Sequence, residues 1–129
     1  MSEQMVSVAS DNIPAAVGPY SAAVKANGLV FVSGQLPVDP KTGALAGNDI
    51  RALARQSLVN LSETLCAAGS SMGQVVKTTV FLTDLSDFAA VNEVYASFFS
   101  EACYPARSCF QVASLPKGSP IEIEAIALL

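Results

Sequence analysis

The chain has 129 residues, of which 51% are hydrophobic and 14% charged, which leaves room for one compact domain spanning 1–129 whose core needs no staple or structural metal. Its net charge is −4, and its seven cations (Lys25, Lys41, Arg51, Arg55, Lys77, Arg107 and Lys117) are scattered, which argues against the clustered basic footprint of a nucleic-acid binder. Histidine is absent altogether. That excludes Ser-His-Asp triads, zinc deaminase sites and most hydrolytic metal centres in their usual forms, and leaves carboxylate, Arg, Cys, Tyr or backbone groups to carry any catalysis.

So few charges on a chain of this size predict that apolar surface is covered by other subunits. Cys66, Cys103 and Cys109 are an odd number without metal-ligand spacing, and the segment from Met1 to Ser10 lacks the basic and apolar regions of a signal sequence. Both point to a reducing cytoplasm. No apolar run approaches the ~20 residues of a membrane span.

Taken in chain order, Leu29–Ser33 is rich in β-formers and predicts a buried strand ending at Gly34, followed by a turn at Pro40-Lys41-Thr42-Gly43. From Asn48 or Asp49 as N-cap, Ile50, Leu53, Ala54, Leu58, Leu61, Leu65 and Ala68 recur at steps of three and four. They predict an amphipathic helix stopped by Gly69. Val75–Leu82 is dominated by β-branched residues and predicts a strand. Asp84 or Ser86 then caps a second helix carrying Phe88, Val91, Val94, Tyr95, Phe98 and Phe99. Two further strands are predicted at Ser108–Leu115 and Ile121–Leu128, separated by Pro116-Lys117-Gly118-Ser119-Pro120. The order strand, strand, helix, strand, helix, strand, strand defines an α+β fold, a mixed sheet with two helices against it.

Two motifs are set aside. Gly69-Ser70-Ser71-Met72-Gly73 has the G-x-S-x-G pattern but closes a helix, whereas a nucleophile elbow opens one. Asn60-Leu61-Ser62 has the glycosylation pattern but lies mid-helix.

The informative stretch is the C-terminal third. Glu122 and Glu124 alternate with Ile121 and Ile123, so both carboxylates leave one face of the last strand. They fit a solvated sheet face, or a carboxylate at a subunit boundary available for acid/base work. Arg107 follows a proline at a strand start and fits a surface Arg or a bidentate clamp for a substrate carboxylate. Cys109 shares its strand face with Arg107 and, without a histidine, fits a small core hydrophobe better than a nucleophile. Tyr20 fits a core-edge aromatic or a hydroxyl donor in a cleft. Ser33-Gly34 offers backbone N–H groups where a side chain would obstruct an anion, and Asn92 fits a polar helix position.

Taken together, Gly18-Pro19-Tyr20, Val32-Ser33-Gly34-Gln35, Asn92, Pro105-Ala106-Arg107-Ser108-Cys109, Leu115-Pro116 and Ile121-Glu122-Ile123-Glu124 resemble the Rid (YjgF/YER057c) family from about Asn12 to the C-terminus. The presence of both Arg107 and Glu122 resembles its RidA branch, the 2-iminobutanoate/2-iminopropanoate deaminases. The resemblance implies a chorismate mutase-like fold assembled as a homotrimer with clefts between subunits. It also implies cofactor-free and metal-free hydrolysis of 2-imino and enamine acids to 2-oxo acids and ammonia, with neither nucleic acid nor membrane as partner. By the same resemblance Arg107 holds the substrate carboxylate and Glu122 activates water, while Tyr20, Ser33, Gly34, Asn92 and Cys109 shape the pocket. The loop from Ser100 to Tyr104 is shorter than the family pattern. Two alternatives compete: a protein that only binds a 2-oxo acid and, less well matched to an acidic chain, an endoribonuclease or translation inhibitor.

Overall fold

The computed structural model describes residues 4–129, so the first three residues of the Met1–Ser10 segment lie outside the described residues. Six strands form one sheet in the order β1-β2-β3-β6-β4-β5. They are β1 (Val6–Val8), β2 (Ala23–Ala26), β3 (Leu29–Gln35), β4 (Val75–Leu82), β5 (Ala106–Gln111) and β6 (Ile121–Leu128), with α1 (Ile50–Ala67) between β3 and β4 and α2 (Phe88–Ala96) between β4 and β5. All neighbours are antiparallel except β4 and β5, which run parallel because α2 carries the chain back between them.

Side-chain alternation decides what the sheet buries. On β6, Ile121, Ile123, Ala125 and Ala127 enter the core, and on β4, Val80 and Leu82 do so beside them. Leu58, Leu61 and Leu65 of α1 close over that face and are fully buried, as is nearly all of Val91 from α2. Each such leucine contributes about 1.5–3 kcal/mol of transfer free energy. The α+β class is thus as predicted, with both helices against one face. Among the described residues no helix covers the other face, which is partly apolar: Phe31 (42% exposed) and Phe110 (53% exposed) stand on it, and the Phe81 and Phe110 rings stack 6.5 Å apart.

Helix α1, β4 and β6 form where the pattern predicts them. The stop of α1 is a Schellman arrangement: the Ser70 N–H donates to the Leu65 carbonyl at 2.8 Å and the Gly69 N–H to Cys66 at 3.0 Å, with Gly69 at φ +87°. Asp49 is the N-cap residue, but its side chain makes no capping bond.

Three expectations are corrected. Three strands, not two, precede α1, because β1 and β2 are only three and four residues long and too short to show a period. α2 ends at Ala96, short of Phe98 and Phe99, where the Ser97 hydroxyl donates back to the Val94 carbonyl at 2.6 Å. Phe98 and Phe99 still pack on the core from the following turn. β5 occupies Ala106–Gln111, not Ser108–Leu115, since its partner β4 runs out where Leu82 meets Gln111.

Candidate functional site

Arg107 sits on edge strand β5, level with Thr78 of β4, and its side chain turns toward the helix-covered face. There the guanidinium donates to Asn92 Oδ1 at 2.8 Å and lies over the rings of Tyr95 and Phe88, 4.8 and 5.4 Å from their centroids. These three residues are spaced i, i+4 and i+7 along α2, so one helix stripe supplies the whole bed. The bed is itself anchored, because the buried Tyr95 hydroxyl is 2.7 Å from that of Thr78. Stacking and a single hydrogen bond fix the plane of the guanidinium and leave most of its five donors unused. Among the described residues the one ion pair is Arg51 with Glu93, so Arg107 has no carboxylate of its own.

Cys109 lies two residues on, on the same face, partly packed on the core. Burial pushes its thiol above the ordinary value while Arg107 pulls it back, with a net upward shift. The thiol is therefore protonated at neutral pH, which fits a packing role.

Glu122 stands on the opposite face. Its strand neighbours Ile121 and Ile123 are fully buried in the core, and its own half-buried carboxylate faces Gly34 of β3. A Cβ on Gly34 would lie 2.6 Å from the Glu122 carboxyl carbon and 2.7 Å from Oε1. Only glycine leaves this space. The β3–β6 ladder shifts register between Val32 and Gln35, so Ser33 and Gly34 form an irregular step under the carboxylate. Ser33 is tied down by its hydroxyl donating to the Ser21 carbonyl at 2.6 Å and its N–H to Ala22 at 3.0 Å. Burial, and then repulsion from Glu124, raise the Glu122 carboxyl above the ordinary range. Beside this step a cavity of about 190 Å³ is bounded by Tyr20, Gly34, Leu36, Val38 and Lys117. The Tyr20 ring is exposed, forming a wall and not part of the core, and its hydroxyl accepts from the Val17 N–H at 3.4 Å.

The residues singled out in the sequence thus fall into two groups. Arg107, Asn92 and Cys109 gather against α2, while Glu122, Gly34, Ser33 and Tyr20 gather on or beside the open face, and β4 separates β5 from β6. One protomer does not unite them. Sequence reasoning missed Phe88, Tyr95 and Thr78 as the support of Arg107. The signal was present in the Phe88, Asn92, Tyr95 spacing, which places the one polar residue on an aromatic stripe.

The fold and the two half-sites define a class: a small α+β protein with one mixed six-stranded sheet, two helices on one face, and an unpaired arginine and an unpaired glutamate on opposite sides of the sheet. Within that class the chain belongs to the Endoribonuclease L-PSP family, whose model matches residues 10–129. It is 56% identical over 123 residues to the 2-iminobutanoate/2-iminopropanoate deaminase of Salmonella typhimurium, covering 94% of this chain and 95% of that protein. Among solved structures, Escherichia coli TdcF with bound serine superposes with a TM-score of 0.91 at 49% identity, covering 96% of this chain and 98% of the other. RidA from an Antarctic Psychrobacter does so with a TM-score of 0.92 at 48% identity, covering 96% and 99%. The resemblance to the Rid family is thereby confirmed.

Proposed function

We propose that this protein hydrolyses 2-imino acids and their enamine tautomers to 2-oxo acids and ammonia at a site completed by two subunits. The observation that carries the reading is the division of Arg107 and Glu122 between opposite sheet faces, one with a guanidinium that has no carboxylate partner among the described residues and the other with a half-buried carboxylate, in a chain with a relative at 56% identity that is a deaminase of such substrates. Serine bound to TdcF, an amino acid with a free carboxylate, supports the same ligand chemistry. A bare apolar sheet face supports assembly, and the trimer expected from the resemblance would bring the arginine side of one protomer to the glutamate side of the next.

The chemistry asks little of the protein. Arg107 holds the substrate carboxylate bidentately and Glu122, in its protonated form, gives a proton to the imine nitrogen. The resulting carboxylate accepts a proton from the attacking water as its oxygen bonds to C2, forming a carbinolamine. Returning that proton to nitrogen makes ammonia the leaving group, and as the C–N bond breaks the hydroxyl proton passes to the Glu122 carboxylate, which forms the 2-oxo acid and restores the acid. The imine carbon is electrophilic from the start, so positioning and one shuttling carboxylate suffice without histidine. Asn92 aligns Arg107, and Tyr20, Ser33, Gly34 and Cys109 shape the walls.

The test generates 2-iminopropanoate with an amino-acid oxidase and traps surviving imine with semicarbazide. Wild-type protein is expected to suppress semicarbazone formation, and Arg107→Ala and Glu122→Ala to lose that effect. A wild-type protein that binds a 2-oxo acid yet leaves trapping unchanged would establish the binding-only alternative instead.

A further inference from the structure

Helix α1 carries one fully buried carboxamide, Asn60, and both of its N–H donors go to the segment that follows β3. Its Nδ2 donates to the Leu36 carbonyl at 3.0 Å and to the Val38 carbonyl at 2.8 Å. Its Oδ1 accepts from Gln56 Nε2 at 2.9 Å, one turn back on the helix, which fixes which end of the amide faces the carbonyls. The two carbonyls flank Pro37, which has no N–H, so this stretch cannot be held by a regular ladder. Backbone bonds hold it locally, from the Val38 N–H to the Leu36 carbonyl at 2.8 Å and from the Ala46 N–H to the Pro37 carbonyl at 2.9 Å, and Asn60 ties it to the helix layer.

What the clamp holds lies next to the glutamate half-site. Leu36 and Val38 bound the same cavity as Gly34 and Tyr20. Gln35 re-enters the ladder opposite Ile123 and its Nε2 donates to the Ser33 carbonyl at 3.0 Å. The irregular step at Ser33-Gly34 is thus fixed at both ends: by Ser21 and Ala22 before it, and by Asn60 through Leu36 and Val38 after it. At 2.6 Å from a would-be Cβ, the fit of Glu122 over Gly34 tolerates little movement of that backbone.

We infer that Asn60 is a positioning residue: by clamping Leu36 and Val38 to α1 it fixes the Gly34 backbone under the Glu122 carboxylate and so sets the geometry of the proton-transferring half of the site. This inference rests on the hydrolase reading above. Arg107, on the other face, is independent of it, so loss of the clamp lowers turnover and leaves carboxylate binding nearly intact.

Asn60→Asp keeps the size of the side chain and replaces its two donors with an acceptor facing two carbonyls. In this variant amide exchange of residues 33–38 is expected to quicken by about tenfold or more. The kcat for 2-iminopropanoate falls by about tenfold or more while KM stays within about threefold. A folded variant with unchanged kcat, or with KM and kcat changed alike, would overturn the inference. Should Asn60→Asp fail to fold, Gln56→Met at a partly buried position removes only the bond that orients the amide. A fall in kcat of about threefold at constant KM supports the clamp there, and unchanged kcat overturns it. If wild-type protein shows no turnover, the hydrolase reading fails by itself. The exchange measurement then decides the clamp: acceleration confined to residues 33–38 upholds it, and unaltered exchange refutes it.

Discussion

Arg107 is a cation with a fixed plane and no counter-charge, held by two aromatic rings and the Asn92 carbonyl oxygen. A lysine cannot stack in that bed or present a planar fork. Arg107→Lys should therefore raise KM for 2-iminopropanoate by about tenfold or more with a smaller change in kcat, measured by initial rates of imine loss. Glu122 makes a prediction about stability as well as turnover. Its carboxyl is held above the ordinary range by burial and by Glu124, so between the unfolded and the folded pKa the folded state holds a proton that the unfolded state has released. Stability attached to this group is present below the unfolded pKa and is lost as pH rises through the folded one. Glu122→Gln removes the cost of a desolvated charge, so thermal denaturation should show a higher Tm than wild type at pH 7. That gain should vanish as the pH falls below about 4, where both states become protonated. The same variant should be inactive or nearly so in the trapping assay, which separates the catalytic cost from the stability gain.

At the scale of elements, what the sequence made legible follows from how much of each element's length its own residues decide. The Leu58, Leu61, Leu65 stripe of α1 and the Ile121–Ala127 alternation of β6 each commit a whole face to the core, and both were readable. The extent of β5 is decided by where β4 ends, a tertiary fact absent from its own residues. The strand β2 carries no period in four residues, and the signal for its hairpin with β3, Asn27-Gly28, went unread. These two residues join Ala26 to Leu29 with φ of 53° and 76°, the signature of a type I′ turn. Of the candidate site, Arg107 and Glu122 were singled out through the family resemblance and the outward face of Glu122 through its alternation with Ile121 and Ile123, whereas Phe88, Tyr95 and Thr78 were not. The placement of Arg107 on the opposite face was not legible, because β5 lacks the strong apolar alternation that would have shown which side meets the helices. The α1 terminus offers a direct check on the local argument. Gly69→Ala places a Cβ at φ +87° and should destabilise the fold by about 1 kcal/mol in denaturant unfolding, with activity per folded molecule unchanged.

For the whole molecule, the scarcity of charge now has a location: the bare sheet face carrying Phe31, Phe81 and Phe110. We propose that this face meets neighbouring subunits and that a working site takes Arg107 from one protomer and Glu122 from the next. Co-expressing the Arg107→Ala and Glu122→Ala chains tests this directly. In a mixed trimer, one junction unites an intact Arg107 with an intact Glu122. Random mixing should restore roughly a quarter of wild-type imine hydrolysis, although each variant alone is inactive. Purified mixed assemblies that remain as inactive as their parents would contradict a site shared between subunits.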